Sequence, residues 1–266
     1  MRSLHILFIL VVVTWLGFPL RAQEAIYIGT RHTLFSHVLN EAREYWVYVP
    51  ATRPGEKEES YPVLYLLDGD SFFHSVVGFT RLFSTSKVSS LPPCIVVAVL
   101  NTNRTRDFTP TCSAARRDGT VRPGDKPEGG GAGQFCRFLT EELRLAVEQD
   151  LPVNGQHLLA GHSYAGLFTL HVLLNYPGAF DTYIAIDPSL WWDKGYFQKQ
   201  VERQVDKVDF SGKQLYVAFA TQPRLDRKLI HFPLTDDFIG SAVPRMEKRH
   251  LRVVSKKFPE ETHGTV

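Results

Sequence analysis

The chain has 266 residues, 44% of them hydrophobic and 22% charged, which is ordinary for a globular protein with one large core. Lys and Arg number 30 against 28 Asp and Glu, a formal net charge of +2 that gives no sign of a nucleic-acid partner or an anionic-membrane surface. Nothing repeats at a fixed period, which argues against a repeat architecture.

The chain opens on a positive residue, Arg2, and an almost unbroken apolar run from Leu4 to Leu16. A small-residue cleavage site stands at Ala22 in PLRAQ. Residues 1–22 therefore read as a secretory signal peptide, too short for a comfortable membrane span, and 23–266 as the mature domain. Losing Arg2 and Arg21 takes the basic count from 30 to 28, equal to the 28 acidic residues. The expected product is secreted or periplasmic, uncharged overall, with no stable membrane anchor and no nucleic acid bound. In that oxidising setting Cys112 and Cys136 could bridge the polar segment between them, with Cys94 buried at the head of a strand. No Cys/His spacing resembles a zinc site, and neither a metal nor a cofactor is expected.

From Ser36 to Pro50 the pattern is hairpin-like: SHVLN, a polar EAR corner, then EYWVYV with alternating large apolar residues. A charged turn, Ala51 to Ser60, separates these edge strands from a continuous apolar strand, Val63 to Leu67, ending in Asp68-Gly69-Asp70. A second such strand covers Ile95 to Leu100. Strands with no polar alternation are buried on both faces, as in a parallel sheet. Next come a polar stretch with Arg104, Arg106 and Asp107, and a segment from Ser113 to Gly133 rich in Arg, Asp, Pro and Gly. Its GGGAG run predicts a mobile surface loop. Phe135, Phe138, Leu139, Leu143 and Val147 then share one helical face.

In QHLLAGHSYAGL, residues 156–167, an apolar run stops at Gly161, Ser163 follows, and small residues return at Ala165 and Gly166. Leu167, Leu170, His171 and Leu174 then continue at helical spacing. This is strand, very tight turn and helix with a hydroxyl at the apex, a nucleophile elbow. The strict pattern places glycine where Ala165 stands, with Gly166 one step later. Further strands follow at Thr182 to Asp187, Gln214 to Ala220 and Leu251 to Phe258, with a polar helix from Tyr196 to Lys207 between the first two. Alternating strands and helices predict an α/β fold, a mostly parallel doubly wound sheet with antiparallel N-terminal edge strands. In such sheets the chemistry gathers at the carboxyl ends of the strands. Asp68-Gly69-Asp70, the Arg104 loop, Ser163, the Trp191 pair, Asp226 and His263 all fall at such ends.

A serine needs a base to attack at neutral pH, and the base needs a partner to hold its tautomer. After an elbow of this kind the order is serine, then Asp or Glu, then His. His263, in the loop after the last strand, is the expected base, ahead of His171, His231 and His250. Asp226 is the first choice for the acid, with Asp236, Glu260 and Asp187 as rivals. Backbone N–H groups of Tyr164 and Asp70 are the expected oxyanion donors. Trp191 and Trp192 could wall an acyl or alcohol pocket or fill the core. Arg104 and Arg106 could clamp a substrate anion or pair with Asp107.

YPVLYLLDGDSFF, IVVAVLNTNRTRDFTPT, GGGAGQFCRFLTEEL, LLAGHSYAGLF, IDPSLWWD and ETHGTV together resemble the bacterial putative-esterase family, which groups with esterase D and the enterochelin esterases. The likeness covers nearly the whole mature chain. It implies an α/β-hydrolase fold and cofactor-free hydrolysis of a small-molecule or glycan ester, with Ser163 as nucleophile, His263 as base and Asp226 as acid. An acyltransferase on the same scaffold and a non-catalytic binding protein are the alternatives. Relatives commonly continue past the HGTV-like motif into a closing helix, and some siderophore esterases use a serine–histidine pair without an acid.

Overall fold

A computed structural model describes residues 25–51, 60–85, 91–221 and 231–266. Strands β1 (Thr30–Ser36), β2 (Glu41–Tyr48), β3 (Tyr61–Leu66), β4 (Ile95–Val99), β7 (Val153–His162), β8 (Thr182–Ile186), β9 (Gln214–Ala220) and β10 (Arg252–Phe258) form one sheet in the order β1-β2-β4-β3-β7-β8-β9-β10. β1, β2 and β4 pair antiparallel, and every pairing from β4 to β10 is parallel. Two-residue strands β5 (Cys112–Ser113) and β6 (Glu128–Gly129) make a small separate ribbon. The strand order reverses direction between β3 and β7. In open parallel sheets that is where a crevice forms beyond the strand ends.

Helix α1 (Gly69–Thr85) leaves β3 and covers one face with the stripe Phe73, Val77 and Thr80, all buried. The opposite face carries the larger core. There α3 (Ala132–Arg137), a π-helical turn (Phe138–Leu143) and α4 (Arg144–Asp150) bury Phe135, Phe138, Leu139, Leu143 and Val147, the face expected from their spacing. Helix α5 (Tyr164–Asn175) is apolar almost all round and lies in the middle of that core. α6 (Trp192–Gln204), α7 (His231–Asp237) and α8 (Val243–Glu247) complete the layer. On the α1 side an apolar groove of about 360 Å³ runs between Phe72 and Val76 of the helix and Leu64, Leu66, Ile184 and Ile186 of the sheet.

Two sequence expectations shift. The first edge strand is TRHTLFS rather than SHVLN, and the EAR corner lies inside β2. The turn at residues 37–40 is fixed by Asn40 in the left-handed region (φ 54°) and by Glu142, whose carboxylate accepts from the N–H groups of His37 and Val38. Arg43, which made EAR look exposed, is 1% exposed and donates to Asp107 at 2.6 Å, Glu41 at 2.9 Å and the Leu100 carbonyl at 3.0 Å. A buried cation tolerated through such pairing is invisible to a hydropathy pattern.

The second shift is the 113–133 segment, which packs as an ordered flap. Arg116 forks onto Asp125 at 2.8 and 2.6 Å, and Ser113 donates to Asp193 at 2.9 Å. Its glycine run permits close approach. Gly129 has φ 93°, and a Cβ there would stand 2.0 Å from the Thr109 hydroxyl. The cysteines are free, with Cys112 exposed on β5 and Cys136 buried in α3, so the suggested bridge is not formed. Among the described residues no helix is long and apolar enough to cross a membrane.

One half-buried histidine outside the strand ends has a measurable consequence. His171 on α5 accepts from Asn175 Nδ2 at 3.0 Å through Nδ1, and the Asn175 carbonyl in turn accepts from Gln204 at 2.8 Å. An imidazole that accepts is neutral, and burial pulls it down to about 4 from 6.5. Between those values the unfolded chain binds a proton that the folded one refuses, so stability falls as pH drops from 6.5 towards 4. Urea unfolding at pH 7 and 4.5 should show a loss of about 2–3 kcal/mol from this residue. His171→Gln, which keeps an acceptor, is expected to flatten the curve by that amount. An unchanged slope would contradict the assignment.

Candidate active site

Three adjacent strands, β3, β7 and β8, each end in a non-glycine residue at positive φ: Asp68 at 53°, Ser163 at 63° and Asp187 at 39°. Such backbone costs of order 1–3 kcal/mol per residue and persists where the surroundings over-determine it. The three sit side by side at the switch point of the sheet.

Ser163 caps α5 at the apex of the elbow. Its N–H donates to the Ile186 carbonyl at 2.9 Å, and its own carbonyl accepts from Leu167 at 2.9 Å and Ser189 at 3.0 Å. A Cβ at Gly161 would meet the Ala165 carbonyl oxygen at 2.4 Å, so a side chain there would open the turn. Gly166 lies against the Ile186 carbonyl and Pro188, where a Cβ would meet both at 3.0–3.1 Å. The close approach to β8 is thus made at 166, which leaves room for Ala165 in the place where the strict motif has glycine.

The imidazole of His263 lies beside the serine, with Nε2 3.0 Å from Ser163 Oγ. Its Nδ1–H donates to Asp187 Oδ2 at 2.5 Å. Asp187 is 1% exposed, and its other oxygen accepts from the Ala220 N–H at 3.2 Å. Its own N–H donates to the Ala218 carbonyl at 2.7 Å, so the residue leans over the end of β9 to reach the last loop. The carboxylate fixes Nδ1 as the protonated nitrogen and leaves Nε2 free to accept from the serine.

The carboxylate that His263 meets in the structure follows β8, a different strand end from that of the first choice. Asp226, the first choice, lies outside the described residues. Asp236 pairs with Lys257 at 2.6 Å on the surface, and Glu260 is exposed. Asp187 was among the rivals, and it is the carboxylate that His263 meets. His250 is an exposed partner of Asp209 at 3.0 Å, and His171 is packed on α5.

Tyr164 is the first residue of α5 and Asp70 the second of α1, helices whose first-turn N–H groups have no carbonyl four residues back. β3 and β7 are neighbours, so these two helix starts lie next to each other. Arg104 donates to both Asp68 oxygens at 2.7 and 2.9 Å and to the His162 carbonyl at 3.3 Å. Its partner is thus Asp68 rather than Asp107, and its fork ties α2 (Arg104–Phe108) to the ends of β3 and β7. Asp107 is paired instead by Arg106, at 2.7 Å, together with Arg43.

A cavity of about 440 Å³ opens beside Tyr164. Trp191 and Trp192 form one wall, and Arg116, Arg117, Lys126 and Glu128 of the flap form another. Trp192 is both core and wall: it is 4% exposed, and its indole N–H donates to the Thr111 hydroxyl at 3.1 Å. The Arg117 guanidinium lies 5.8 Å from the Trp191 ring. Two further residues at the site carried no sequence signal beyond their neighbours. Ser189 places its hydroxyl 3.2 Å from that of Ser163, and His162 accompanies the base. Among the described residues no cluster of His, Cys, Asp and Glu gathers in a metal-binding arrangement.

The chain resembles known proteins both in sequence and in fold. Residues 36–220 match the family model described as "Putative esterase". The chain is 33% identical over 196 residues to the ferri-bacillibactin esterase of Bacillus subtilis, covering 68% of this chain and 66% of that protein. It is 26% identical over 258 residues to the apo-salmochelin esterase of Escherichia coli, covering 94% and 79%. A solved structure of an IroE-like serine hydrolase from Shewanella oneidensis superposes with a TM-score of 0.81 at 33% identity, covering 89% of this chain and 75% of that one. The match to the Bacillus protein thus spans just under two thirds of its length.

Proposed function

From the premise that the chain belongs to the Putative esterase family, we propose that it is an exported serine hydrolase that cleaves siderophore carboxylic esters through an acyl-enzyme on Ser163. One observation carries the proposal: Ser163 Oγ, His263 and Asp187 form an unbroken chain at 3.0 and 2.5 Å.

Ser163 Oγ attacks the ester carbonyl carbon as its proton passes to His263 Nε2. Asp187 holds the ring in the tautomer that can accept and steadies the imidazolium that forms. The tetrahedral oxyanion takes hydrogen bonds from the N–H of Tyr164 and from the start of α1 at Asp70. On collapse the carbon–oxygen bond to the alcohol breaks, and His263 returns the proton to that oxygen. Water then attacks the acyl carbon, giving its proton to His263, and the acid leaves as Ser163 regains its hydrogen. No step needs a cofactor.

The substrate class rests on two supports. The relatives reported above are esterases of bacillibactin and salmochelin by name. The cavity beside Tyr164 offers indole faces with Arg116, Arg117 and Lys126, surfaces that suit flat, anionic aromatic acyl groups. Residues 1–22 act as the export signal, and the mature chain starts at Gln23.

A panel of catecholate trilactones, with and without ferric iron, set against short acyl esters and acetylated sugars tests the substrate class. Trilactone kcat/KM is expected to exceed that of the simple esters by at least about tenfold, a difference of roughly 1.4 kcal/mol in transition-state binding. Equal rates would remove the siderophore reading, and transfer products with added alcohols would mark an acyltransferase.

A further inference from the structure

His162 immediately precedes the serine and ends β7. Its ring lies on the α1 side, edge-on to Phe72 at 6.0 Å, and overlaps the His263 ring at a centroid distance of 4.6 Å and 34°. Its Nε2 is 2.7 Å from the carbonyl oxygen of His263. A carbonyl only accepts, so this nitrogen carries a hydrogen.

The bonding of the last loop gives that contact its weight. Beyond Phe258, the loop's hydrogen bonds among the described residues are mostly internal: Glu261 to the Phe258 carbonyl, Thr265 and Val266 to that of Thr262, and Thr262 to the Thr265 hydroxyl. Those that reach the rest of the protein meet at His263. Two use its side chain, to Asp187 and Ser163, and the third uses its carbonyl, to His162. The side-chain bonds belong to the reaction and must exchange a proton in every cycle. The bond to His162 is the one that can hold the backbone still while they do.

We propose that His162 is a positioning residue, whose Nε2–H fixes the loop that presents the His263 imidazole to Ser163. The proposal rests on the hydrolase reading above. Burial, with the adjoining His263 as the second cause, holds the His162 imidazole below its usual range. It therefore stays neutral when His263 takes up the serine proton, and the donor is kept without a second cation against the first.

Amide replacements separate the donor from the ring. In His162→Gln the side-chain amide nitrogen reaches almost as far as the imidazole Nε2, whereas in His162→Asn it falls one bond short. With an activated ester, His162→Asn is expected to lower kcat by roughly 10–100-fold at little-changed KM, as a displacement of about 1 Å does. His162→Gln should return to within about fivefold of the parent. His162→Phe, which keeps a ring against Phe72 and removes the donor, should behave as His162→Asn, so the comparison survives if either variant fails to fold. Amide hydrogen exchange across residues 259–266 gives a readout that needs no turnover, faster in His162→Asn and parent-like in His162→Gln. A purely structural role predicts that the Asn and Gln variants fall together in step with their melting temperatures. That result, parent-like kcat in both, or equal loop exchange in both, overturns the proposal. If the parent turns over no ester, the hydrolase reading fails instead, and the exchange comparison still decides on His162.

Discussion

Ser163→Ala is expected to lower ester hydrolysis by roughly 10⁴–10⁶-fold, the loss that follows removal of a triad nucleophile. The residual rate, if any, comes from binding and from the oxyanion donors proposed at Tyr164 and Asp70, which the substitution leaves in place. Initial rates at saturating substrate measure the effect, with circular dichroism as a check on folding. Position 163 stays in its left-handed conformation because the bonds that hold it, from its N–H to Ile186 and from Ser189 to its carbonyl, are backbone bonds. The variant should therefore fold, and the loss should lie in kcat. More than a few per cent of parental activity would mean that another group attacks the ester.

Asp187→Asn is the second large effect, a fall in kcat of roughly 10⁴-fold at a nearly unchanged KM. The carboxylate accepts from His263 Nδ1 and from the Ala220 N–H. An amide at 187 can present its nitrogen to the ring, and His263 then turns its bare nitrogen away from the serine. Asp226→Asn makes the paired control and should leave kcat within about threefold of the parent. The two variants together decide which carboxylate supports the base. Large loss in Asp226→Asn with little in Asp187→Asn would reverse the assignment.

Much of the architecture could be read from the chain because its signals are local. Continuous apolar runs such as Ile95–Val99 are buried throughout and form the parallel centre of the sheet. The elbow is equally local: the small residues flanking Ser163 are demanded by contacts a few positions away. His263 followed from its place after the final strand, and the structure sets its ring against the serine. The carboxylate is a different problem. Several strand ends face the same crevice, and which one reaches His263 depends on how far its backbone leans across its neighbour. Asp187 does so through its bond to Ala218 in β9, a fact of register that no motif carries.

Polar residues misled for a related reason. Arg43 stood in a polar corner and Asp107 in a polar stretch, yet both, like Asp68, are nearly buried because a partner from a distant part of the chain neutralises each. Arg104 was weighed as a clamp for a substrate anion, and its fork lies on Asp68. The glycine run at 129–131 read as slack, whereas it lets the flap pass over Thr109 and Arg106 to form the cavity wall. Hydropathy and turn chemistry report what a residue prefers when solvated, not what it meets after folding.

Hydrolysis by this chain would turn on the reactivity of one hydroxyl, that of Ser163. A fluorophosphonate probe applied to the folded protein, followed by peptide mass mapping, should find a single stoichiometric adduct on the peptide holding Ser163, and His263→Ala should slow its formation by at least about 10³-fold. A folded protein that takes up no probe, or carries it on a different residue, would contradict the account.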